Sequence, residues 1–229
     1  MSLILNIDTS INSALVCVAK DGQPLAMEVN HIQKDHAGFL HNAIQAVLEK
    51  AGIRSGELTA ISVTKGPGSY TGLRVGMASA KGLAYALNIP LITVSSLQMM
   101  SAAMIRSLPT ETIKDTLFCP MIDARRMEVF TAVYNEKNEE VLKASAVILD
   151  ETSFLTYMEN NKVCFFGNGA SKFEAIMKHP NAQFLPVEDP VAALSQMTHN
   201  MYLLAQFSDL VGSDPLYVKE FQSSTPSAQ

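Results

Sequence analysis

The chain has 229 residues, 48% of them hydrophobic and 17% charged, which is enough apolar material for a sizeable core in one large unit or two small lobes. Its net charge of −5 argues against unaided binding to a nucleic-acid backbone, because phosphate recognition rests on Lys and Arg neutralising charge. No apolar run reaches the roughly 18 residues of a membrane span, and the opening "MSLILNIDTS" carries neither the basic region nor the cleavage site of a secretory signal.

In chain order, "LILNID" (3–8) reads as a first strand and "SALVCVAK" (13–20) as a second. Asp21-Gly22 then marks a hairpin into a third, "QPLAMEVN" (23–30). A helix follows over 33–51, stopped by Gly52. "LTAISVTK" (58–65) returns as a strand, the glycine-rich stretch "VTKGPGSYTGLRVG" (63–76) leads into a helix over 71–88, and "IPLITV" (89–94) is the next strand. Ser95 or Ser96 caps a helix reaching Ser107.

Residues 108–116, "LPTETIKDT", break the pattern and read as a linker. Beyond them the order partly repeats. "LFCPMID" (117–123), "MEVFTAVYN" (127–135) and "EEVLKASAVIL" (139–149) are strands. A helix near 151–160, a strand "VCFFG" (163–167), a helix opening at "NGASKF" and a last helix over 190–207 follow. "DPLYVKEF" (214–221) is an extended tail strand or anchor. Each half therefore opens with three strands and then alternates helix and strand. The expectation is an α/β fold with mixed sheets, duplicated as an N-terminal lobe over 1–107 and a reduced C-terminal lobe with its tail over 108–229.

The glycine-rich stretch poses a choice between a phosphate cradle and a packing device. A Walker A loop needs G-x4-G-K-[ST], but Gly66 and Gly72 are six apart and Lys65 precedes the loop; G-x-G-x-x-G fails because residue 71 is Thr. Packing accounts for more. Arg74, Lys81 and Asn88 fall on one narrow stripe of an otherwise uncharged helix, and Gly72, Gly76 and Ala80 recur at i, i+4, i+8, which opens a smooth groove. The helix over 33–51 has an apolar face of Ala37, Leu40, Ile44, Leu48 and Ala51, widened by Phe39, Ala43, Ala46 and Val47 to roughly 200°, against the ~100° a surface helix needs. The surplus predicts a partner surface; the alternative is burial between the parent sheet and the second lobe.

Site chemistry is sparse. His31, His36 and His41 recur every five residues, about 140° per step, and so do not converge as H-E-x-x-H histidines do. No metal site is expected. There is no G-x-S-x-G elbow. Cys17, Cys119 and Cys164 lie far apart in apolar runs and read as buried thiols of a reducing cytosol. Asp8-Thr9-Ser10 ends the first strand, and Asp123-Ala124-Arg125-Arg126 holds the equivalent place in the second half, so these two turns could flank a nucleotide between lobes. The competing reading of both is a local β-turn cap.

"LNIDTS", "GPGSYTGLRVG", "AKGLA" (80–84), "IPLITVSSL" (89–97), "MIDARRMEVFTAVY" (121–134), "FGNGA" (166–170) and "PLYVK" (215–219) together resemble the TsaB (YeaZ) family over most of the chain. The resemblance implies the two-lobed actin-like, Hsp70-like ATPase (ASKHA) fold. It also implies a part in making threonylcarbamoyladenosine at position 37 of tRNA in the cytoplasm. Family members are paralogues of the catalytic subunit TsaD without its metal-binding histidines, so the resemblance implies no catalytic residue of this chain's own. They pair with TsaD, are joined by the ATPase TsaE, form homodimers alone, and meet tRNA only through the complex, where ATP and Mg enter. The pairing uses the first two helices, which assigns the partner surface to His36, Phe39, Leu40, Ala43, Ala46, Val47, Gly72, Gly76, Met77 and Ala80. Asp8, Thr9, Ser10, Asp123 and Arg125 would remain as a degenerate nucleotide site. The competing expectations are an active actin-fold ATPase or small-molecule kinase using Asp8 and Asp123 for Mg2+ and phosphates, and, last, a protease of a partner, for which the sequence holds no nucleophile–base pair.

Overall fold

The computed structural model describes residues 1–11, 13–30, 36–186 and 189–219, without the side chains of His36 and Ala37. The elements of the first half are β1 (Leu3–Asp8), β2 (Ala14–Lys20), β3 (Gln23–Asn30), α1 (His36–Ala51), β4 (Ala60–Gly66), α2 (Tyr70–Leu87), β5 (Leu91–Ser95) and α3 (Ser96–Ser107). β1 is buried along its whole length, as a central strand covered on both faces must be, and this is why "LILNID" reads as a near-continuous apolar run rather than an alternation. It pairs antiparallel with β2 and parallel with β4. Asp21 and Gly22 both take positive φ (47° and 80°), the turn a two-residue hairpin requires.

After the short α4 (Thr110–Ile113), which occupies the expected linker, come β6 (Thr116–Asp123), β7 (Glu128–Tyr134), β8 (Glu140–Ile148), α5 (Leu155–Met158), β9 (Lys162–Phe166), α6 (Ala170–Glu174), β10 (Ala182–Phe184) and α7 (Val191–Leu203). The two five-stranded sheets run β3-β2-β1-β4-β5 and β10-β9-β6-β7-β8. Counted from its own first strand, the second sheet has the same 3-2-1-4-5 order, so the duplication expected from element order is present in the topology. β10, a three-residue edge strand, was too short to mark itself in the sequence.

Alternation along β1, β2 and β4 serves two cores. Leu5, Ile7, Val16, Val18, Ile61 and Val63 meet Leu40 and Val47 of α1 and Met77 and Ala80 of α2. On the opposite face Ile4, Cys17, Ala60, Ile92 and Val94 meet Met99 of α3 and Val191 and Leu194 of α7. The second lobe is centred on aromatic rings, with Phe165 and Phe173 edge-on at 4.9 Å and Phe165 and Phe184 stacked at 5.3 Å. α3 joins the lobes: Leu97, Met100 and Met104 pack on Phe118, Ile122, Tyr134 and Phe166 of the second sheet.

Chain order and packing part company after residue 190. α7 lies on the first sheet, where Thr198 Oγ1 donates to Asn6 Oδ1 (2.9 Å) and Ser2 Oγ shares a hydrogen bond with His199 Nδ1 (2.7 Å). The following residues stay there, with Ser208 N donating to Leu91 O and Leu216 N to Lys65 O. The apolar residues of α7 fit any uncovered sheet face, so its sequence does not say which lobe it serves.

Candidate functional site

Asp8 closes β1 at the floor of the space between the lobes, and its carboxylate is enclosed at 1% exposure. Asp8 Oδ1 accepts three hydrogen bonds, from Ser10 N (2.9 Å), Ser10 Oγ (2.6 Å) and Thr64 Oγ1 (2.6 Å). Thr9 is turned the other way, its hydroxyl donating to Gly72 O at 2.7 Å. Ser69 N donates to Ser10 O, also at 2.7 Å, and the Ser69 hydroxyl caps α2 by accepting from Gly72 N. The start of α2 is thus sewn to the Thr9-Ser10 turn.

That seam answers the question the glycines raise. A Cβ on Gly68 would land on Ser10 O, one on Gly72 on Thr9 O, and one on Gly76 on Thr9 Oγ1. The glycines admit the chain's own backbone to van der Waals distance, where a phosphate cradle would admit a ligand.

Asp123 closes β6 at the equivalent place in the second lobe and makes the same local turn, its Oδ1 accepting from Arg125 N at 2.6 Å. Its surroundings differ. Lys172 Nζ of α6 lies 2.6 Å away, and Asp123 N donates to Asn168 Oδ1. Partial burial pushes the Asp123 carboxyl up, but the Lys172 ammonium and the Arg125 N–H outweigh it and hold it below the usual carboxylate range. Arg125 and Arg126 both take left-handed backbone (φ 70° and 44°) and are exposed. Between the lobes lies a hollow of about 510 Å3, lined by Ser10, Ser69 and Thr71 on one side and Asp123, Arg125 and Asn168 on the other. Of the five residues expected at a degenerate nucleotide site, Ser10, Asp123 and Arg125 face this hollow, while the Thr9 hydroxyl is spent on Gly72 O and Asp8 is buried with its Oδ1 taken by three internal bonds. Hydroxyls, an amide and one guanidinium can hold polar or anionic groups there. Among the described residues no three His, Cys, Asp or Glu side chains gather as a metal site.

The helix residues expected at a partner surface divide sharply. Leu40, Ala43, Val47, Gly72, Gly76, Met77 and Ala80 are buried in the chain's own core. Phe39 and Ala46 are half-buried on the α1 flank that carries Lys50, which is paired with Glu28 of β3, so they turn towards the outer strand. The His36 side chain lies outside the described residues. The crest of α1 is polar, with His41, Asn42, Gln45 and Glu49 exposed. The free surface is on α2, where Thr71, Ala78, Gly82, Tyr85 and Ala86 are all exposed within an arc of about 100°, Tyr85 at 79%. The two cations of α2 are engaged by the tail: Arg74 Nε donates to Tyr217 OH at 3.0 Å, and Lys81 Nζ to Val211 O and Ser213 O. The signal for the crest was present in the sequence, about 140° round the helix from the glycine groove, but ranking positions by apolarity selects the side that faces the sheet.

A family model described as "TsaD: tRNA N6-adenosine threonylcarbamoyltransferase" matches residues 30–214. The tRNA threonylcarbamoyladenosine biosynthesis protein TsaB of Bacillus subtilis is 33% identical over 171 residues, 73% of this chain and 72% of that protein. The Escherichia coli protein of the same description is 31% identical over 63% of this chain and 64% of its own length. The structure of YeaZ from Pseudomonas aeruginosa superposes with a TM-score of 0.77 at 24% identity, covering 95% of this chain and all of that one. With the duplicated 3-2-1-4-5 sheets, that superposition identifies the two-lobed actin-like fold. By sequence match and by architecture, the chain belongs to the TsaB (YeaZ) family.

Proposed function

We propose that the chain is a non-catalytic subunit of the machinery that makes threonylcarbamoyladenosine on tRNA, docking through the crest of α2 on a TsaD-type paralogue to which TsaE is recruited. The observation that carries this reading is the crest itself: five exposed, uncharged residues from Thr71 to Ala86, with both helix cations held aside by the tail. An exposed aromatic among small residues suits an anchor in a partner's pocket. Size sets a condition. At 1.5 Å per residue α2 is about 27 Å long and its crest about 10 Å wide, so it offers roughly 270 Å2, a third of the ~800 Å2 per partner of a standard interface. The polar shoulder of α1, with Asn42, Gln45 and Glu49, must supply much of the rest as rim. A second copy can use the same face, which gives a homodimer when the chain is alone. Nucleotide and Mg enter with the complex, and tRNA is met through it. A reducing cytoplasm suits the three thiols, whose burial pushes Cys17 up to about 11 and Cys119 and Cys164 to about 12.

The test is reconstitution of tRNA modification and of the complex with Gly82→Arg and Ala86→Arg. A Cβ on Gly82 meets nothing within 4 Å, so this change leaves the fold intact. Gly76→Arg or Ala80→Arg would unfold the core and test nothing. The expected outcome is loss of co-purification with TsaD and loss of modification, at unchanged circular dichroism. Complex formation that survives both changes sinks the proposal. The open hollow beside Arg125 favours a second reading, an actin-fold ATPase or small-molecule kinase. Calorimetric titration with ATP–Mg2+ separates them: micromolar binding by the lone chain, abolished by Asp8→Ala in a folded variant, would favour the enzyme.

A further inference from the structure

The chain leaves α7 and runs back over the first lobe before it touches the second. Ser208 is tied to β5, with its N donating to Leu91 O (2.8 Å) and its Oγ accepting from Thr93 N (3.1 Å). Lys81 of α2 donates to Val211 O and Ser213 O (2.8 and 2.9 Å). Leu216 N donates to Lys65 O at 2.6 Å, beside the glycine loop. Arg74 is held between two rings, 4.2 Å from the centroid of Tyr70 and hydrogen-bonded to Tyr217 OH. At the end of the described residues the segment reaches the other lobe, where Lys219 Nζ meets both carboxylate oxygens of Glu128 at the start of β7 (3.0 and 2.7 Å). One segment therefore fastens to β5, to α2, to the glycine loop and to the second sheet.

The fastening is polar. Leu210 packs on the first core, but Val211 is 84% exposed, Tyr217 44% and Leu216 36%, so only a small apolar area holds the segment down, which is the character of a piece that opens locally before the domain unfolds. Tyr217 also packs on Tyr70, ring centroids 5.3 Å apart, and Tyr70 lines the hollow between the lobes. We propose that residues 208–219 are a latch between the lobes: fastened, they hold the second lobe against α2 and narrow the mouth of the hollow; released from α2, they let the lobes part. It follows that Arg74 and Lys81, whose bonds among the described residues go to this segment and not to the second lobe, control the angle between the lobes through the segment they hold. The latch concerns the lone chain and stands or falls independently of the docking proposal, although both use α2.

The experiment uses the full chain with spin labels on Glu49→Cys of α1 and Glu159→Cys of the second lobe, both exposed positions, the native thiols being buried. Inter-label distances are measured for the parent, Lys219→Glu, Lys81→Met, and the charge exchange Glu128→Lys with Lys219→Glu. The single changes should broaden the distribution towards longer distances, and the exchange should restore it. Hydrogen exchange at the Leu216 amide should rise about two- to fivefold in each single variant, the range expected for losing a partly exposed ion pair or hydrogen bond. Unchanged distances in Lys219→Glu and Lys81→Met would overturn the latch. An exchange variant that stays open would remove the Lys219–Glu128 pair from it.

Discussion

Gly76 and Gly82 sit six residues apart in one helix, and the same substitution should act on them in opposite directions. Gly82→Ala places its methyl in open space, so only helix propensity changes, a gain of about 0.8–1 kcal/mol. Gly76→Ala has the same propensity gain. Its methyl, however, lands on Thr9 Oγ1 and lies 3.5 Å from Val63 Cγ2. Thr9 is fully buried, and its hydroxyl donates to Gly72 O at 2.7 Å. Moving it costs that bond, about 1 kcal/mol, and overpacking costs about 1–3 kcal/mol more. The net is a loss of about 1–3 kcal/mol. At 2–4 °C per kcal/mol for a chain of this size, Gly82→Ala should melt about 2–4 °C higher and Gly76→Ala about 2–12 °C lower. Urea unfolding followed by far-UV circular dichroism reads both. A cycle with Thr9→Ala isolates the contact: without the hydroxyl, Gly76→Ala should recover about 1–2 kcal/mol of coupling. If Gly76→Ala is as stable as Gly82→Ala, the glycine stretch is not a packing device, and its conformation must serve a ligand instead.

Two further outcomes follow from buried groups. Asp8→Ala leaves Ser10 N, Ser10 Oγ and Thr64 Oγ1 without their acceptor; unfolding should show a loss of about 2–4 kcal/mol, and a variant of unchanged stability would mean the carboxylate is not structural. The three thiols have folded pKa values raised to about 11–12, chiefly by burial, so their stabilising contribution is complete below the unfolded value near 9 and is lost as pH rises through 11–12. Urea midpoints should therefore fall between pH 9 and 11, a disulfide reagent at pH 8 should find no reactive thiol in the native chain and three in urea, and native labelling would contradict their enclosure.

Much of the architecture was legible because it is written in local signals. Asp21-Gly22, the buried run of β1 and the three-strand opening of each half are short-range features, and the structure has all of them. What was not legible depends on contacts far apart in sequence. α7 carries Val191, Ala193 and Leu194 towards whichever sheet is uncovered, and contacts far apart in sequence, such as the Thr198–Asn6 and His199–Ser2 bonds, assign it to the first lobe. The partner surface misled for a related reason. Small residues at i, i+4, i+8 announce a close approach without saying what approaches, and here it is Thr9. Position 82, chemically the same as 76, faces open space. Periodicity places both on the wheel, but only the position of the sheet tells inside from outside.

The duplication makes Asp8 and Asp123 an internal comparison, since each ends the first strand of its sheet and each accepts the N–H two residues on. The turn chemistry is the same, and what differs is the neighbour brought by the rest of the lobe. In the first lobe α2 closes tightly enough, on its glycines, to enclose the carboxylate beneath Thr64 and Ser10. In the second, α6 is only five residues long and leaves Asp123 reachable, so Lys172 supplies the countercharge instead. A carboxylate can serve a cation or phosphate-bound metal only with an oxygen free to ligate it. The bonds described for both carboxylates fall on Oδ1, so a metal would be left with Oδ2 of each, that of Asp8 in a residue 1% exposed and that of Asp123 beside the Lys172 ammonium. The same closure that encloses Asp8 turns the far side of α2 outward. Enclosure of Asp8 and exposure of an uncharged crest are then two consequences of one feature, the seating of α2 on Thr9 and Ser10.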